Sequence, residues 1–280
     1  MEYILRAVCD VADVPLFRFV RHNLKEFSGD QLEEWENTPF DTAYTGSMEL
    51  MKVSLAEFPD ELGEYLRGAI VSGSVKMVEY LVDEKKAELT PLLFRYATVN
   101  MEMLKYVHTK LGKVTGDNFV SAIYFAAKYD NVEAVDYIFD RFTPEEKKSI
   151  SWDEFMKSAA FSGNQTLINR AIANGANKWR LALHDVICGK GNIDTVKFFL
   201  SKGAKLTFNH LTSAAYRGHE DIIDLYFTIH DHDHLKSTVI YCAHYTCHFG
   251  LVERSSILER SIGKMWETLN KLSTLNVKKE

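Results

Sequence analysis

The segment from Phe155 to Lys205 contains two consecutive copies of one short pattern, and this repetition limits the folds that the chain can adopt. In each copy a glycine is followed by an asparagine, then by an aliphatic stretch and, twelve residues after the glycine, by a Gly-Ala pair. The glycines are Gly163 and Gly191, and the pairs begin at Gly175 and Gly203. A fixed period of this kind is typical of stacked supersecondary units, each of which packs mainly on its neighbours.

The first glycine of the pattern identifies further copies along the chain. Aligned positions recur at intervals of about 26 to 33 residues, which leaves room for two short helices and their connections. Glycine, and less often Asn or Asp, suits the left-handed residue that ends a helix. Val99 does not suit it, so we expect a distorted turn there. The marker positions are Gly46, Gly73, Val99, Asp130, Gly163, Gly191 and Gly218.

The residues after each marker predict the start of a second helix. Most of the immediately following residues are Ser or Asn, whose side-chain oxygens satisfy free N–H groups in the first turn of a helix. Acidic residues often come two places later, where the positive end of the helix dipole favours them. An apolar pair then begins one face of the helix. The expected cap residues are Ser47, Ser74, Asn100, Asn131, Asn164, Asn192 and His219.

Small residues precede several markers, as in Ala126-Ala127 and Ala159-Ala160. Small side chains allow the first helix of one unit to approach the first helix of the next unit closely. The pattern therefore predicts an all-α fold in which helix–turn–helix repeats stack into a solenoid.

The repeat resembles the ankyrin family, whose unit of about 33 residues carries Thr-Pro-Leu-His, a small pair, Gly-His, an aliphatic helix and Gly-Ala. Thr90-Pro91-Leu92-Leu93 stands in the family register, and Gly218-His219 followed by Ile222-Ile223 matches well. Most copies lack the full tetrapeptide, and the short intervals leave little space for the family's β-turn finger. The chain is in this respect similar to the divergent ankyrin proteins of large DNA viruses and some intracellular microbes.

The resemblance implies a non-enzymatic scaffold that binds a partner protein on the concave face of the array. If the role is also similar to that of the viral proteins, the scaffold could sequester a host factor of a signalling or ubiquitin pathway. We predict an eroded N-terminal repeat or cap over residues 1–35, an array over 36–250 and a C-terminal capping helix within 251–280, in one continuous solenoid.

Composition restricts the class of partner. The 46% hydrophobic and 26% charged residues match a folded, soluble protein. The net charge of -6 argues against a general nucleic-acid surface in this chain.

The four cysteines are too scattered for a disulfide framework, and neither a signal peptide nor a membrane-length apolar run is present. We expect a monomeric cytoplasmic protein without a membrane partner.

The two positions before each marker are the candidate partner-binding positions. By analogy with ankyrin repeats, they lie on the exposed concave side of the first helix, and they hold several aromatic and basic residues. Tyr and Arg are frequent hot spots in interfaces. The alternative is that these aromatics cover the neighbouring loops, where fingers are missing. The candidates are Tyr44, Lys128, Tyr129, Phe161, Tyr216 and Arg217.

The sequence contains none of the His-Glu-x-x-His, Gly-x-Ser-x-Gly or phosphate-binding loop motifs that we considered, so we expect no enzyme activity and no cofactor. A His- and Cys-rich stretch over residues 230–248 supports an alternative: a zinc-binding domain or a metal-dependent enzyme. Its candidate ligands are His232, His234, His244 and His248. The alternative to a metal site is that this stretch forms a solvent-exposed loop followed by a helix. Pairing of a terminal helix over Leu258–Leu275 between chains would instead make a self-assembling protein.

Overall fold

A computed structural model describes residues 8–9, 11–28, 38–114 and 116–230 of the chain. In these residues the structure consists of many short packed helices joined by turns, without a β-strand. The predicted all-α class is therefore confirmed. The chain divides into two compact units, Met1–Ile150 and Ser151–Glu280, which are described separately below as unit 1 and unit 2.

Unit 1 consists of one longer N-terminal helix followed by pairs of short helices. Helix α1 contacts the next layer through an apolar cluster that contains Phe17 and Leu50. The elements are α1 (Val14–Ser28), α2 (Thr38–Tyr44), α3 (Met48–Glu57), α4 (Leu62–Ser72), α5 (Val75–Glu79) with a π-helical turn (Tyr80–Glu84), a 3-10 helix (Pro91–Val99), α6 (Met101–Leu111), α7 (Gly116–Lys128), α8 (Val132–Phe139) and α9 (Pro144–Lys148).

Unit 2 repeats the pairing with more regular helices. Two of its pairs come from the segment in which the sequence pattern is clearest. The described elements are α10 (Trp152–Ser162), α11 (Gln165–Ala173), α12 (Trp179–Cys188), α13 (Ile193–Ser201), α14 (Phe208–Arg217) and α15 (Glu220–Ile229).

The first helices of successive pairs pack side by side within each unit. In unit 1, α2 contacts α4, α4 contacts the 3-10 helix, and the 3-10 helix contacts α7; in unit 2, α10 contacts α12 and α12 contacts α14. Small residues permit this approach: a Cβ added to Gly68 would lie 2.5 Å from the carbonyl oxygen of Phe40. We refer below to the side of each unit formed by these helices as the first-helix layer.

The core of each unit lies between the first helices and the second helices. Its apolar side chains are excluded from solvent, and each such burial stabilises the fold by about 1.5 to 3 kcal/mol. Tyr65 is the largest of them, and its hydroxyl lies 2.8 Å from the Ser54 Oγ, so that its polar end is hydrogen-bonded. Burial raises the pKa of Tyr65 well above its usual value. Other fully buried side chains are Leu50, Met51, Leu66, Phe94, Phe155, Met156, Leu183 and Phe199.

The marker residues adopt the predicted left-handed conformation at every position except Val99. Asp130 is the non-glycine member of this set, with φ of 67°. At Val99 the expected distortion is present, because the preceding segment is a 3-10 helix rather than an α-helix. The glycine markers with positive φ are Gly46, Gly73, Gly163, Gly191 and Gly218.

The predicted cap residues begin the second helices. Five of them accept a hydrogen bond from a backbone N–H in the first turn, which confirms the expected capping. Ser74 and His219 precede their helices without a side-chain cap bond. The capping residues are Ser47, Asn100, Asn131, Asn164 and Asn192.

Several of these residues also contact the turn of the preceding pair. The Asn131 Nδ2 donates to the Thr98 carbonyl oxygen at 2.7 Å, so one side chain starts its own helix and holds the neighbouring turn. At two other junctions the contact is steric. A Cβ added to Gly163 would lie 2.9 Å from the Asn192 Cβ, and one added to Gly191 would lie 2.4 Å from the His219 ring.

This packing predicts that Gly163→Ala destabilises unit 2 more than Gly203→Ala does. Both glycines have positive φ, which costs an alanine about 1 to 2 kcal/mol. Only at Gly163 would the added methyl group also meet a neighbouring side chain, because nothing lies within 4 Å of the corresponding position at Gly203. We expect an additional loss of about 1 kcal/mol or more in the free energy of unfolding, measured by urea denaturation. Equal losses for the two variants would contradict the proposed contact.

Candidate protein-binding face

The sequence-predicted site residues lie at the carboxyl ends of first helices, and most of them are solvent-exposed. Tyr44 ends α2, Lys128 ends α7, and Tyr129 directly follows α7 in unit 1. Tyr44 and Tyr129 are 47% and 53% exposed, while Lys128 is half-buried. The tyrosines thus offer substantial surface to a partner.

The tyrosines of unit 1 belong to two aromatic groups, one within α2 and one that spans two neighbouring first helices. Tyr44 stacks on Phe40 of the same helix, with 5.7 Å between ring centroids. Tyr96 of the 3-10 helix meets Phe125 of α7 edge to face at 5.3 Å, and Phe125 contacts Tyr129 at 4.6 Å. We call these five residues the aromatic cluster of unit 1.

An arginine lies over each of these groups. The Arg67 guanidinium is 4.3 Å from the Phe40 ring centroid and forms an ion pair with Glu64. The Arg95 guanidinium is 4.7 Å from the ring centroid of Tyr96, and its Nη2 donates a hydrogen bond of 2.7 Å to the Tyr96 hydroxyl oxygen. Cations in such positions are attracted to the electron-rich faces of aromatic rings.

The surroundings of Tyr129 raise the pKa of its hydroxyl group. Partial burial raises the pKa of Tyr129, and the neighbouring phenols of Tyr44 and Tyr96 raise it further. Tyr44 and Tyr129 therefore influence each other although they come from the first and last of four successive first helices in unit 1. Both aromatic groups lie on elements of the first-helix layer.

In unit 2 the candidate residues differ in exposure. Tyr216 is 44% exposed and Arg217 is also exposed, both at the end of α14. Phe161 is half-buried, and its carbonyl oxygen accepts a hydrogen bond of 3.0 Å from the Lys190 N–H. Gly189 lies so close that an added Cβ would be 2.1 Å from that oxygen. The backbone of Phe161 thus joins α10 to α12, while its ring remains partly accessible.

Sequence analysis missed several members of the face, because it considered only the two positions before each marker. Phe40 and Phe125 stand four residues before Tyr44 and Tyr129, a spacing at which side chains of a helix become neighbours. A search at that spacing would have found both. Tyr96 lies one place outside the considered positions, and Arg95 precedes it in a 3-10 helix whose period the repeat did not predict.

The predicted zinc ligands His232, His234, His244 and His248 lie outside the described residues, as does the predicted C-terminal helix. His230, at the edge of that stretch, donates from its Nε2 to the Leu206 carbonyl oxygen at 3.2 Å. Within the described part of the chain, no three His, Cys, Asp or Glu residues are arranged to hold a metal ion. Zinc binding by residues 230–248 stays a prediction.

A cluster of polar side chains in unit 2 joins α12 to α14. The Cys188 Sγ lies 3.4 Å from the His184 Nε2, and the His184 ring is 5.7 Å from the ring of His210. His210 is buried, and its Nδ1 accepts a hydrogen bond of 3.0 Å from the Thr207 N–H. That bond satisfies a free donor at the start of α14 and requires an unprotonated Nδ1.

An open hollow of about 380 Å³ lies in unit 2 between the start of α12 and the turn at Gly203-Ala204. Lys178, Trp179 and Arg180 line it, and no carboxylate, imidazole or thiol is among its lining groups. The Asp153 Oδ1 accepts hydrogen bonds from the backbone of Asn177 and Lys178 nearby, which orders this loop. The hollow offers cationic and apolar contacts but no acid–base pair.

Neither the comparison with protein-family models nor the comparison with curated proteins finds a match for this chain. In addition, no helix of residues 8–9, 11–28, 38–114 and 116–230 has the length and apolarity needed to cross a membrane. The arrangement of its own residues is therefore the evidence for what the chain does.

The cap formed by His210 predicts that unit 2 loses stability in mild acid. Burial, and then the charges of His184 and Arg180, lower the pKa of His210 in the folded state. The unfolded chain therefore binds the proton first, so this contribution is complete above about pH 6.5 and declines as the pH falls below that value. We expect the free energy of unfolding to fall between about pH 7 and pH 5.

His210→Gln provides the matched test, because a glutamine oxygen can accept the Thr207 N–H without titrating. Its unfolding free energy should depend less on pH than that of the wild type over the same range. His219, whose pKa is also lowered mainly by burial, accounts for part of the remaining slope. An unchanged slope in the variant would contradict the role of His210.

Proposed function

We propose that this protein is a non-enzymatic scaffold, built as an ankyrin-like solenoid, that holds a partner protein on its first-helix layer in the cytoplasm. Several observations support the architecture: a repeat of about 26 to 33 residues, left-handed turns at the markers and first helices that pack side by side. The resemblance of the repeat to ankyrin units supports it as well.

The observation that carries the functional proposal is the exposure of large aromatic side chains one or two residues before marker positions of the repeat. Tyr44, Tyr129 and Tyr216 are each 44–53% exposed, and each stands at the end of a first helix. Tyrosine buries a large area with few rotamers to fix, and its hydroxyl tolerates water in the unbound state. A stabilising role alone does not require such exposure.

The charge distribution favours a protein over a nucleic acid as the partner. The chain has a net charge of -6, which opposes association with a phosphate backbone. The exposed cations of the face are few and separated by aromatic rings, whereas binding to a duplex relies on many phosphate contacts. Protein interfaces are instead enriched in tyrosine and arginine.

The biological role we propose is capture or sequestration of one partner by a monomer. The resemblance to viral ankyrin proteins extends this to a host factor, and that extension rests on analogy, since folds do not fix functions. Holding a partner requires no catalytic group, in keeping with a face made of aromatic and arginine side chains.

The double substitution Tyr44→Ser and Tyr129→Ser tests this function. We expect it to reduce partner capture from a cell lysate by at least about tenfold, because hot-spot residues contribute about 2 kcal/mol or more each. The unfolding free energy should change by less than about 2 kcal/mol, since each variant removes one exposed aromatic contact. Affinity capture with quantitative mass spectrometry, and thermal unfolding followed by circular dichroism, measure the two effects.

Phe19→Ser is the matched control in unit 1. Phe19 is 66% exposed, but it stands on α1, which packs on the second helix α3. Its substitution should leave capture unchanged. Equal loss of capture in the control, or a loss of capture that only accompanies unfolding of the double variant, would count against the first-helix layer as the binding face.

A further inference from the structure

Arg95 occupies an unusual position in the aromatic cluster of unit 1. Its side chain lies along the Tyr96 ring, and its Nη2 donates to the Tyr96 hydroxyl oxygen. The Arg95 Nε is buried without a hydrogen-bond partner. A charged group that has lost water on one side gains more than a solvated one from an incoming anion.

No carboxylate among the described residues pairs with Arg95. The Nε of Arg67, on the neighbouring first helix, also lacks a hydrogen-bond partner, but its guanidinium pairs with Glu64 while it lies over an aromatic ring. Within the described residues, the guanidinium of Arg95 contacts only the neutral phenol oxygen and the ring face of Tyr96. The positive charge of Arg95 is thus not matched by a negative charge among the described residues of unit 1.

Two hydroxyl groups of the aromatic cluster supply further donors. The Tyr96 oxygen accepts from Arg95, which leaves its own proton able to donate to another group. The hydroxyl of Tyr129 makes no hydrogen bond in the described residues, and Phe125 links its ring to that of Tyr96. The groups that raise the pKa of Tyr129 are its burial and two phenols, without a carboxylate among them.

We propose that Arg95, together with the hydroxyls of Tyr96 and Tyr129, binds a carboxylate of an acidic segment in the partner protein. The inference rests on the proposed function, and it adds the chemistry of the partner. Arginine and phenol donors match a carboxylate, and the adjoining rings provide contact for an apolar neighbour in the same segment. Because the site offers one guanidinium rather than a row of cations, and the chain has a net charge of -6, an acidic peptide fits it better than a polyphosphate backbone.

A random peptide library displayed on phage, with inserts of about 12 residues, tests the proposal against the immobilised full chain. We expect selection to enrich peptides that carry Asp or Glu beside an apolar residue. Synthetic versions of these peptides should bind Arg95→Gln about 10- to 100-fold more weakly than the wild type, as expected for loss of a hydrogen bond to a charged group. They should bind Tyr129→Phe about 2- to 10-fold more weakly.

Lys113→Gln is the charge-matched control, because Lys113 is exposed in the connection between α6 and α7 and makes no contact with the aromatic cluster. It should leave affinity within about twofold of the wild type. Circular dichroism checks the fold of each variant. Tyr129→Phe, which keeps the exposed ring, decides the result if Arg95→Gln is unfolded.

The outcomes separate this inference from the proposed function. Peptides that need Tyr44 and Tyr129 but are indifferent to Arg95→Gln, or that lack acidic residues, overturn the carboxylate site and leave the binding face standing. The carboxylate site and the proposed function are both overturned if no peptide is enriched, or if the enriched peptides bind every one of these variants as tightly as they bind the wild type. Binding of a single-stranded oligonucleotide that depends on Arg95 would overturn the acidic-peptide assignment in favour of a phosphate ligand.

Discussion

The packing of one helix pair on the next depends on the residue that follows each left-handed turn. At Asn131 this residue accepts an N–H of its own helix through Oδ1 and donates through Nδ2 to the Thr98 carbonyl oxygen of the preceding pair. At Asn192 the same type of residue caps its helix and fills the space above Gly163. A cap of this kind contributes about 0.5 to 2 kcal/mol to its helix. Its second contact fixes the spacing of the pairs.

The spacing of the helix pairs explains why the proposed partner-binding residues lie at the ends of the first helices. Tyr44 and Tyr129, which stand one or two residues before the turns, lie at the edge of the layer and remain about half exposed. Residues one helical turn earlier support them, as Phe125 does for Tyr129. The exposed tyrosines are therefore held by the same packing that stabilises the first-helix layer. Binding of the proposed partner would then require little further ordering of these side chains.

Local chemistry was predictable from the sequence, and long-range proximity was not. A left-handed turn at a glycine or aspartate depends on neighbouring backbone atoms, and so does a helix cap made by Ser or Asn. Gly163 and Asn164 could therefore be assigned correctly from the amino-acid sequence alone. The edge-to-face contact of Tyr96 with Phe125 depends on how two successive first helices pack. The Arg95 guanidinium lies over Tyr96 within a 3-10 helix. The only sign of this helix in the sequence was that Val99 takes the place of a glycine at the marker position.

The central claim is that the first-helix layer of unit 1 contacts the partner. Hydroxyl-radical footprinting, comparing the protein alone with the protein bound to its captured partner, tests it most directly because aromatic side chains react readily when exposed. The account predicts that Tyr44, Tyr96 and Tyr129 become protected on binding, while Phe19 on α1 keeps its reactivity. Protection of Phe19 with unchanged labelling of Tyr44 and Tyr129 would contradict it.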